Sequence, residues 1–222
     1  MKNQADNHGL FVIAGIFLVA TIMRKSYKRG VSEAIFSESL QIGEGEKWYN
    51  LILGDFCSVI MGQSPDSSTY NTDGTGLPLV QGNADIKDGV ATPQRYTSSP
   101  TKIAPAGSIL LSVRAPVGSV SMTYQEICLG RGVCAIAAQN NDFLYHLLVF
   151  VQDEWKRIEQ GGTFTAISGD DIRQFKVNVP TEEEQKIIGR YLNNIDALIS
   201  QNQNICDALI KLKNALLQSL FI

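Results

Sequence analysis

The chain has 222 residues, of which 44% are hydrophobic, and a formal net charge of −3 at pH 7. This length allows one globular domain with an appendage. The slight acidity argues against a broadly basic nucleic-acid binder, so any nucleic-acid contact must come from a local cluster. The cysteines have no CxxC spacing and the histidines are far apart, which predicts no metal site and favours buried free thiols in a cytoplasmic protein.

The N-terminal segment, residues 1–23, ends in the uninterrupted apolar run Leu10–Met23, and a basic cluster follows it. A membrane span needs about 20 apolar residues, which is more than this run provides. Because the cations follow the run, it is also a poor secretory signal. A membrane anchor held by the positive-inside rule and a packed helix are both left open for this segment. Residues 24–45 are interpreted as the end of a helix followed by a glycine hinge.

Residues 46–180 have a different pattern, in which short apolar runs typical of strands are broken by turn residues. One helix is predicted at Asp142–Gln160, where apolar residues recur on one face. His146 lies in this stretch and is interpreted as a packed side chain. The pattern predicts one α+β domain.

Residues 181–222 form a long predicted helix with a seven-residue apolar repeat. Such a repeat keeps one seam facing a partner helix, as in a coiled coil. A polar residue in the seam is typical of positions that fix register. The start is marked by Thr181 as a cap, with Glu184 at the spacing of a capping box. The predicted seam and its flank consist of Ile188, Leu192, Ile195, Ile199, Asn202, Leu209 and Leu216, and a second column consists of Tyr191, Leu198, Ile205 and Leu212.

No catalytic motif is found along the chain. There is no GxSxG, no P-loop and no GxGxxG. Paired acids such as Asp170 and Asp171 are interpreted as turn or capping residues. No enzyme site is therefore assembled from these sequence patterns.

Several short motifs follow one another in a specific order. They are LGDF at 53–56, GQSP at 62–65, LPLVQGNADI at 77–86, GSILLSVRAPVGSV at 107–120, GGTFTAIS at 161–168 and VNVPTEEEQKIIGRYLNNID at 177–196. In this order and spacing, residues 24–222 resemble the DNA-specificity (S) subunit of type I restriction-modification systems. The resemblance covers one target recognition domain and the helix after it, so the chain is similar to a half subunit.

The resemblance implies a non-catalytic subunit that reads one half of a bipartite site in double-stranded DNA. The long helix is expected to act as a ruler, to dock methyltransferase (M) subunits, and to pair with itself or another S polypeptide. S-adenosylmethionine is expected on the M subunit, and a motor-nuclease (R) subunit is a further expected partner. Two alternatives stay open: a truncated fragment that pairs with full S subunits, and a membrane-anchored protein with an S-like domain.

Candidate DNA-binding residues are those in glycine-rich or polar loops, where the chain can approach a duplex closely. Amide side chains suit bidentate contact with adenine, and cations suit phosphates. Alternatively, the arginines are internal ion-pair partners and the glycines only shape turns. Base readout is expected from residues 66–76 and 86–100. The candidates are Gln63, Ser64, Tyr70, Gln81, Asn83, Lys87, Arg95, Arg114, Arg131, Gly162 and Thr163.

Overall fold

The computed structural model describes residues 26–42, 47–161 and 166–220. The chain divides into two compact units, one formed by residues 42–189 and the other by residues 1–41 with 190–222. The apolar run, the glycine hinge, and the candidates Gly162 and Thr163 lie outside the described residues.

The unit formed by residues 42–189 is rich in sheet. Its described strands are β1 (Tyr49–Ile52), β2 (Cys57–Met61), β3 (Tyr70–Asn71), β4 (Leu77–Val80), β5 (Ile86–Lys87), β6 (Val90–Ala91), β7 (Arg95–Thr97), β8 (Ile103–Ala104), β9 (Ile109–Ser112), β10 (Val120–Met122), β11 (Ile127–Leu129), β12 (Val133–Ala138) and β13 (Lys176–Val179). These strands form a six-stranded sheet of order β2-β12-β9-β10-β6-β5, a five-stranded sheet of order β3-β7-β4-β11-β8, and the antiparallel pair β1-β13.

The two larger sheets share one hydrophobic core. Leu110 of β9 and Val133 of β12 come from the six-stranded sheet, and Val80 of β4 and Leu129 of β11 come from the five-stranded sheet. All four are fully buried, because each sheet turns an apolar face toward the other. The prediction of an α+β domain is confirmed.

The predicted helix at Asp142–Gln160 is two helices in the structure, α3 (Asn141–Phe150) and α4 (Gln152–Gly161). The break lies at Val151, which is buried and forms a turn. This turn lets α4 bury Trp155, whose ring stacks on Phe175 at 4.0 Å between centroids. His146 of α3 is buried with its ring edge-on to Tyr145, as predicted for a packed side chain.

Two short helices flank this region, α2 (Leu53–Phe56) and α5 (Gly169–Gln174). Ser168 caps α5 by a reciprocal capping box with Asp171. Hydrogen bonds from the Ser168 hydroxyl and backbone N–H hold the pKa of Asp171 below its ordinary value.

The long helix α6 spans Glu182–Leu220, and β13 ends just before Pro180, as predicted. The predicted side-chain cap is wrong, because the buried Thr181 hydroxyl has no hydrogen-bond partner among the described residues. Gln185 bonds to the two residues before the helix: its backbone N–H donates to the Thr181 carbonyl and its side chain to the Pro180 carbonyl.

The unit formed by residues 1–41 and 190–222 contains helix α1 (residues 26–36) and most of α6. Lys28 Nζ and Asp196 Oδ2 form an ion pair at 2.6 Å between them. The hydroxyl of Tyr191 has a raised pKa, first from desolvation and then from a hydrogen bond with Tyr27. Cys206 is buried here, and the other cysteines are buried in the sheet unit, as predicted. No helix in the described part of the chain is long and apolar enough to cross a membrane.

The predicted seam of α6 changes in burial along the helix. Ile188 and Leu192 are fully buried, whereas Leu209 is 44% exposed. Asn202 Nδ2 donates to the Leu198 carbonyl of the same helix at 2.8 Å. Ile195, Ile199 and Asn202 are half-buried, and the side chain of Leu216 lies outside the described part. Helix pairing through this seam stays a prediction.

Candidate nucleic-acid interface

Three chain segments cross backbone to backbone at residues 62–64, 80–82 and 129–133, a crossing called here the glycine junction. The N–H of Gly62 donates to Val133 O at 3.1 Å, and the N–H of Gly132 donates to Gln81 O at 3.0 Å. A Cβ on Gly62 would lie 2.0 Å from Gly130 O, and one on Gly132 would lie 2.3 Å from Gln81 O. Real side chains cannot approach carbonyls this closely, so the junction requires glycine.

A cavity of about 390 Å³ opens beside the glycine junction. It gathers six of the predicted DNA-binding residues, although they come from four separate stretches of sequence. Its lining consists of Ser64, Ser67, Tyr70, Gln81, Gly82, Asn83, Arg114, Ala115, Arg131 and Gly132. The structure thus places side chains from distant motifs around one space.

The charge of the cavity lining is positive. It includes two guanidinium groups, Arg114 and Arg131, and no carboxylate among the described residues. Arg131 is oriented by Ser64, whose hydroxyl accepts from its backbone N–H at 3.2 Å and from its Nε at 3.4 Å. Neither guanidinium forms an ion pair with any described residue, so the alternative of internal ion pairs finds no support. Both arginine side chains are exposed and suited to bind an anion.

The two amide side chains of the cavity donate their N–H groups to the protein. Gln81 Nε2 donates to the Tyr70 hydroxyl at 2.9 Å. Asn83 Nδ2 donates to Ser112 Oγ at 2.9 Å and to Pro116 O at 2.8 Å. An amide nitrogen has two N–H groups, so Asn83 has none left for adenine. The predicted bidentate contact is therefore excluded for Asn83 in this arrangement.

The remaining candidates lie outside the cavity lining. Gln63 has an exposed side chain, and its carbonyl accepts a hydrogen bond from the Thr101 hydroxyl. Lys87 on β5 and Arg95 on β7 are exposed cations. Beyond Gly162 and Thr163, the described chain resumes at Ala166, which pairs with Arg114 in an isolated antiparallel bridge.

The polar loop at residues 66–76 is fixed by local hydrogen bonds. Asp66 Oδ1 accepts from the Ser68 N–H at 2.9 Å, and Asp73 Oδ1 accepts from the Thr75 N–H at 2.9 Å. Hydrogen bonds from the Thr75 hydroxyl and then its backbone N–H hold the pKa of Asp73 below its ordinary value, and those from the Ser68 backbone N–H and then its hydroxyl do the same for Asp66. Asn71 accepts from the Thr75 N–H and donates to its carbonyl. The loop predicted to read bases is therefore preorganised.

Three residues of the lining, Gly82, Ala115 and Gly132, were not among the residues predicted from the sequence, and Ser67 was expected only as part of the loop at residues 66–76. Only the closely spaced pair Gly130 and Gly132 gave a local signal, because alternate glycines suggest close backbone approach. The approach partner, Gln81, is about fifty positions away along the sequence, so the signal did not say where the approach occurs.

Comparison with known proteins identifies the family. The type I restriction modification DNA specificity domain matches residues 45–210. The chain belongs to this family. It is 36% identical over 207 residues to the putative type I restriction enzyme MjaX specificity subunit of Methanocaldococcus jannaschii, covering 88% of this chain and 49% of that protein.

Solved structures of type I systems have the same fold. A chain from work on complex assembly and conformational transition of the type I R-M system matches with a TM-score of 0.77 and 31% identity, over 98% of this chain and 56% of that one. The HsdS subunit from Thermoanaerobacter tengcongensis matches with a TM-score of 0.73 and 30% identity, over 97% of this chain and 55% of that one. The homologues are specificity subunits, which are non-catalytic DNA-recognition subunits, and the resemblance read from the sequence is confirmed. The chain spans about half the length of these relatives.

Proposed function

We propose that this chain reads one half of a bipartite DNA site within a type I restriction-modification complex. The observation that carries the proposal is the cavity beside the glycine junction. It combines two guanidiniums that have no described acidic partner with two fixed amide groups. Guanidiniums bind phosphates, amide groups read base edges, and a DNA half-site needs both kinds of contact.

The cations divide into two sets with one expected task. Arg114 and Arg131 lie at the cavity, whereas Lys87 and Arg95 are exposed on separate strands. Phosphate contacts carry no sequence information but fix how a protein sits on the duplex. These four cations therefore position the chain, and bases are read by the cavity amides and by residues 66–76 and 86–100.

The long helix supplies the docking surface in this proposal. Four large apolar side chains spaced seven apart form an exposed column on α6. They are Tyr191, Leu198, Ile205 and Leu212, with exposed fractions of 38%, 58%, 59% and 56%. An apolar column of this spacing fits a partner helix. We infer that it pairs with a second copy or another S polypeptide, and that the helix docks M subunits that carry S-adenosylmethionine, with an R subunit joining for cleavage.

DNA binding by the chain together with an M subunit, compared with the M subunit alone, tests this proposal. We expect sequence-specific binding only when the chain is present, because the reader resides in it. Equal binding with and without the chain would favour a truncated fragment that only pairs with full S subunits. Release of the protein from cells without detergent would exclude the membrane-anchored alternative.

Mapping methylated adenines in DNA modified by the chain and an M subunit tests the pairing. One reader presented twice by two-fold pairing should give an interrupted palindrome with a fixed spacer. An asymmetric split site would show pairing with a different S polypeptide. No methylation with a competent partner would contradict the reader assignment.

A further inference from the structure

Gln81 is held on several sides at the glycine junction. Its N–H donates to Asp85 Oδ2 at 2.7 Å, and its carbonyl accepts from the Gly132 N–H at 3.0 Å. A Cβ at Gly130 would lie 2.7 Å from Gln81 Cα and 3.2 Å from its Cγ, so the two segments are in close contact. The Gln81 side chain therefore leaves the backbone from a fixed position.

The direction of the Gln81 amide is fixed by a chain of hydrogen bonds. The Tyr70 hydroxyl donates its proton to Pro65 O at 3.2 Å, because a carbonyl can only accept. Tyr70 must then accept from Gln81, whose Nε2 lies 2.9 Å away. This order leaves Gln81 Oε1 and the second N–H of Nε2 without a hydrogen bond to any described residue.

Gln81 Oε1 is open to the cavity. No described residue donates to it, and it is not among the buried oxygens that have no partner. Asn83 has the same polarity, since both of its N–H groups are donated to the protein. Each amide therefore presents its oxygen as an acceptor, while the donors at the cavity are the guanidiniums of Arg114 and Arg131 and the second N–H of Gln81.

We propose that Gln81 reads the exocyclic amino group of adenine or cytosine in the major groove, with Tyr70 as its positioning residue. Adenine and cytosine present an amino donor there, whereas guanine and thymine present an oxygen. An oxygen facing Oε1 would leave two acceptors in contact without a proton between them. The inference rests on the proposed function, because it assigns one base contact to the same cavity.

Selection from a randomised duplex DNA pool by the full chain with an M subunit tests the assignment. Wild type should prefer adenine or cytosine over guanine or thymine at one position by about tenfold, the effect of one well-placed hydrogen bond. Tyr70→Phe removes the acceptor for Nε2 and frees the amide to rotate. The preference at that position should then fall to about twofold, while the other positions and the salt dependence stay unchanged.

Two further variants separate base reading from a structural role. Gln81→Glu keeps an acceptor, so the preference should persist while affinity falls on all sequences through charge repulsion. Gln81→Ala removes the amide and should abolish the preference. This variant tests the assignment independently if Tyr70→Phe does not fold. The matched control Gln125→Ala, at an exposed turn residue, should change nothing. Thermal unfolding verifies that each variant is folded.

The outcomes distinguish this inference from the proposed function. Sequence preferences that are unchanged in folded Gln81→Ala, or a wild-type position that selects guanine or thymine and depends on Gln81, would overturn the assignment of Gln81 alone. A wild-type complex that enriches no sequence at all would overturn the proposed function and the inference together.

Discussion

The glycine junction and the exposed column of α6 differ in whether their groups find partners within the chain. At the junction, the Gly62 N–H donates to the Val133 carbonyl and the Gly132 N–H to the Gln81 carbonyl, all within the sheet unit. On α6, Leu198 and Ile205 leave apolar side chains more than half exposed. Under the proposed function, the reading surface is complete within one chain, whereas the assembly surface is completed by a partner.

This difference follows from what each surface must do. Selecting a base requires hydrogen-bonding groups held within a fraction of an ångström, which backbone contacts at Gly62 and Gly132 provide. Assembly requires apolar area that is removed from water only on association, and burial of each large side chain contributes about 1.5–3 kcal/mol. Under the proposed function, the exposed column retains that contribution for association with a partner.

The largest expected effect is at the glycine junction. Gly62→Ala places a Cβ 2.0 Å from Gly130 O, and we expect it to lower the free energy of unfolding by about 3 kcal/mol or more. Gly82→Ala is the matched control, because no atom lies within 4 Å of its added Cβ and its backbone is extended. Urea unfolding measures both, and equal stabilities would show that the junction is not rigid.

A second pair of substitutions compares two positions on α6. Leu192 is fully buried, so Leu192→Ala should lower the free energy of unfolding by about 2–5 kcal/mol. Leu198 is 58% exposed, so Leu198→Ala should change it by less than about 0.5 kcal/mol. Denaturant unfolding with sedimentation of the assembled complex measures this. Leu198→Ala should weaken assembly, and unchanged assembly would contradict the role of the exposed column.

The smallest expected effect is at Ser168, the cap of α5. Ser168 comes shortly after Ala166, which forms a bridge with Arg114. Ser168→Ala removes the cap and should lower stability by about 1 kcal/mol near neutral pH. Because the pKa of Asp171 is lowered in the folded state, its contribution is present above the ordinary value of 3.8 and lost as pH falls through the folded value. The difference in free energy of unfolding between wild type and variant should therefore shrink in acid. Unfolding curves measured across pH test this, and a difference that stays constant with pH would contradict it.

Local periodicity predicted the elements that depend on near neighbours. The end of β13 before Pro180 and the length of α6 were readable, because a proline and a seven-residue repeat act over a few residues. The break at Val151 was not readable, because it depends on Trp155 stacking on Phe175 about twenty residues later. The Thr181 cap was predicted from residue types and spacing alone, but the Thr181 hydroxyl has no hydrogen-bond partner among the described residues.

The cavity was only partly predictable for a similar reason. Polar loops and cations marked Tyr70, Gln81 and Arg131 as candidates, but only the folded sheets bring them together. The direction of the Gln81 amide depends on the carbonyl of Pro65, and that of Asn83 on the carbonyl of Pro116. Composition and spacing cannot specify hydrogen bonds of this kind.

The salt dependence of DNA binding by the chain with an M subunit tests the central claim most directly. If Arg114 and Arg131 contact phosphates, each change to Ala should weaken binding similarly on all sequences and reduce the slope of log K against log salt by about one. Lys176→Ala, an exposed cation on β13, should leave the slope unchanged. A slope unaffected by both arginine substitutions in folded variants would contradict DNA binding at this cavity.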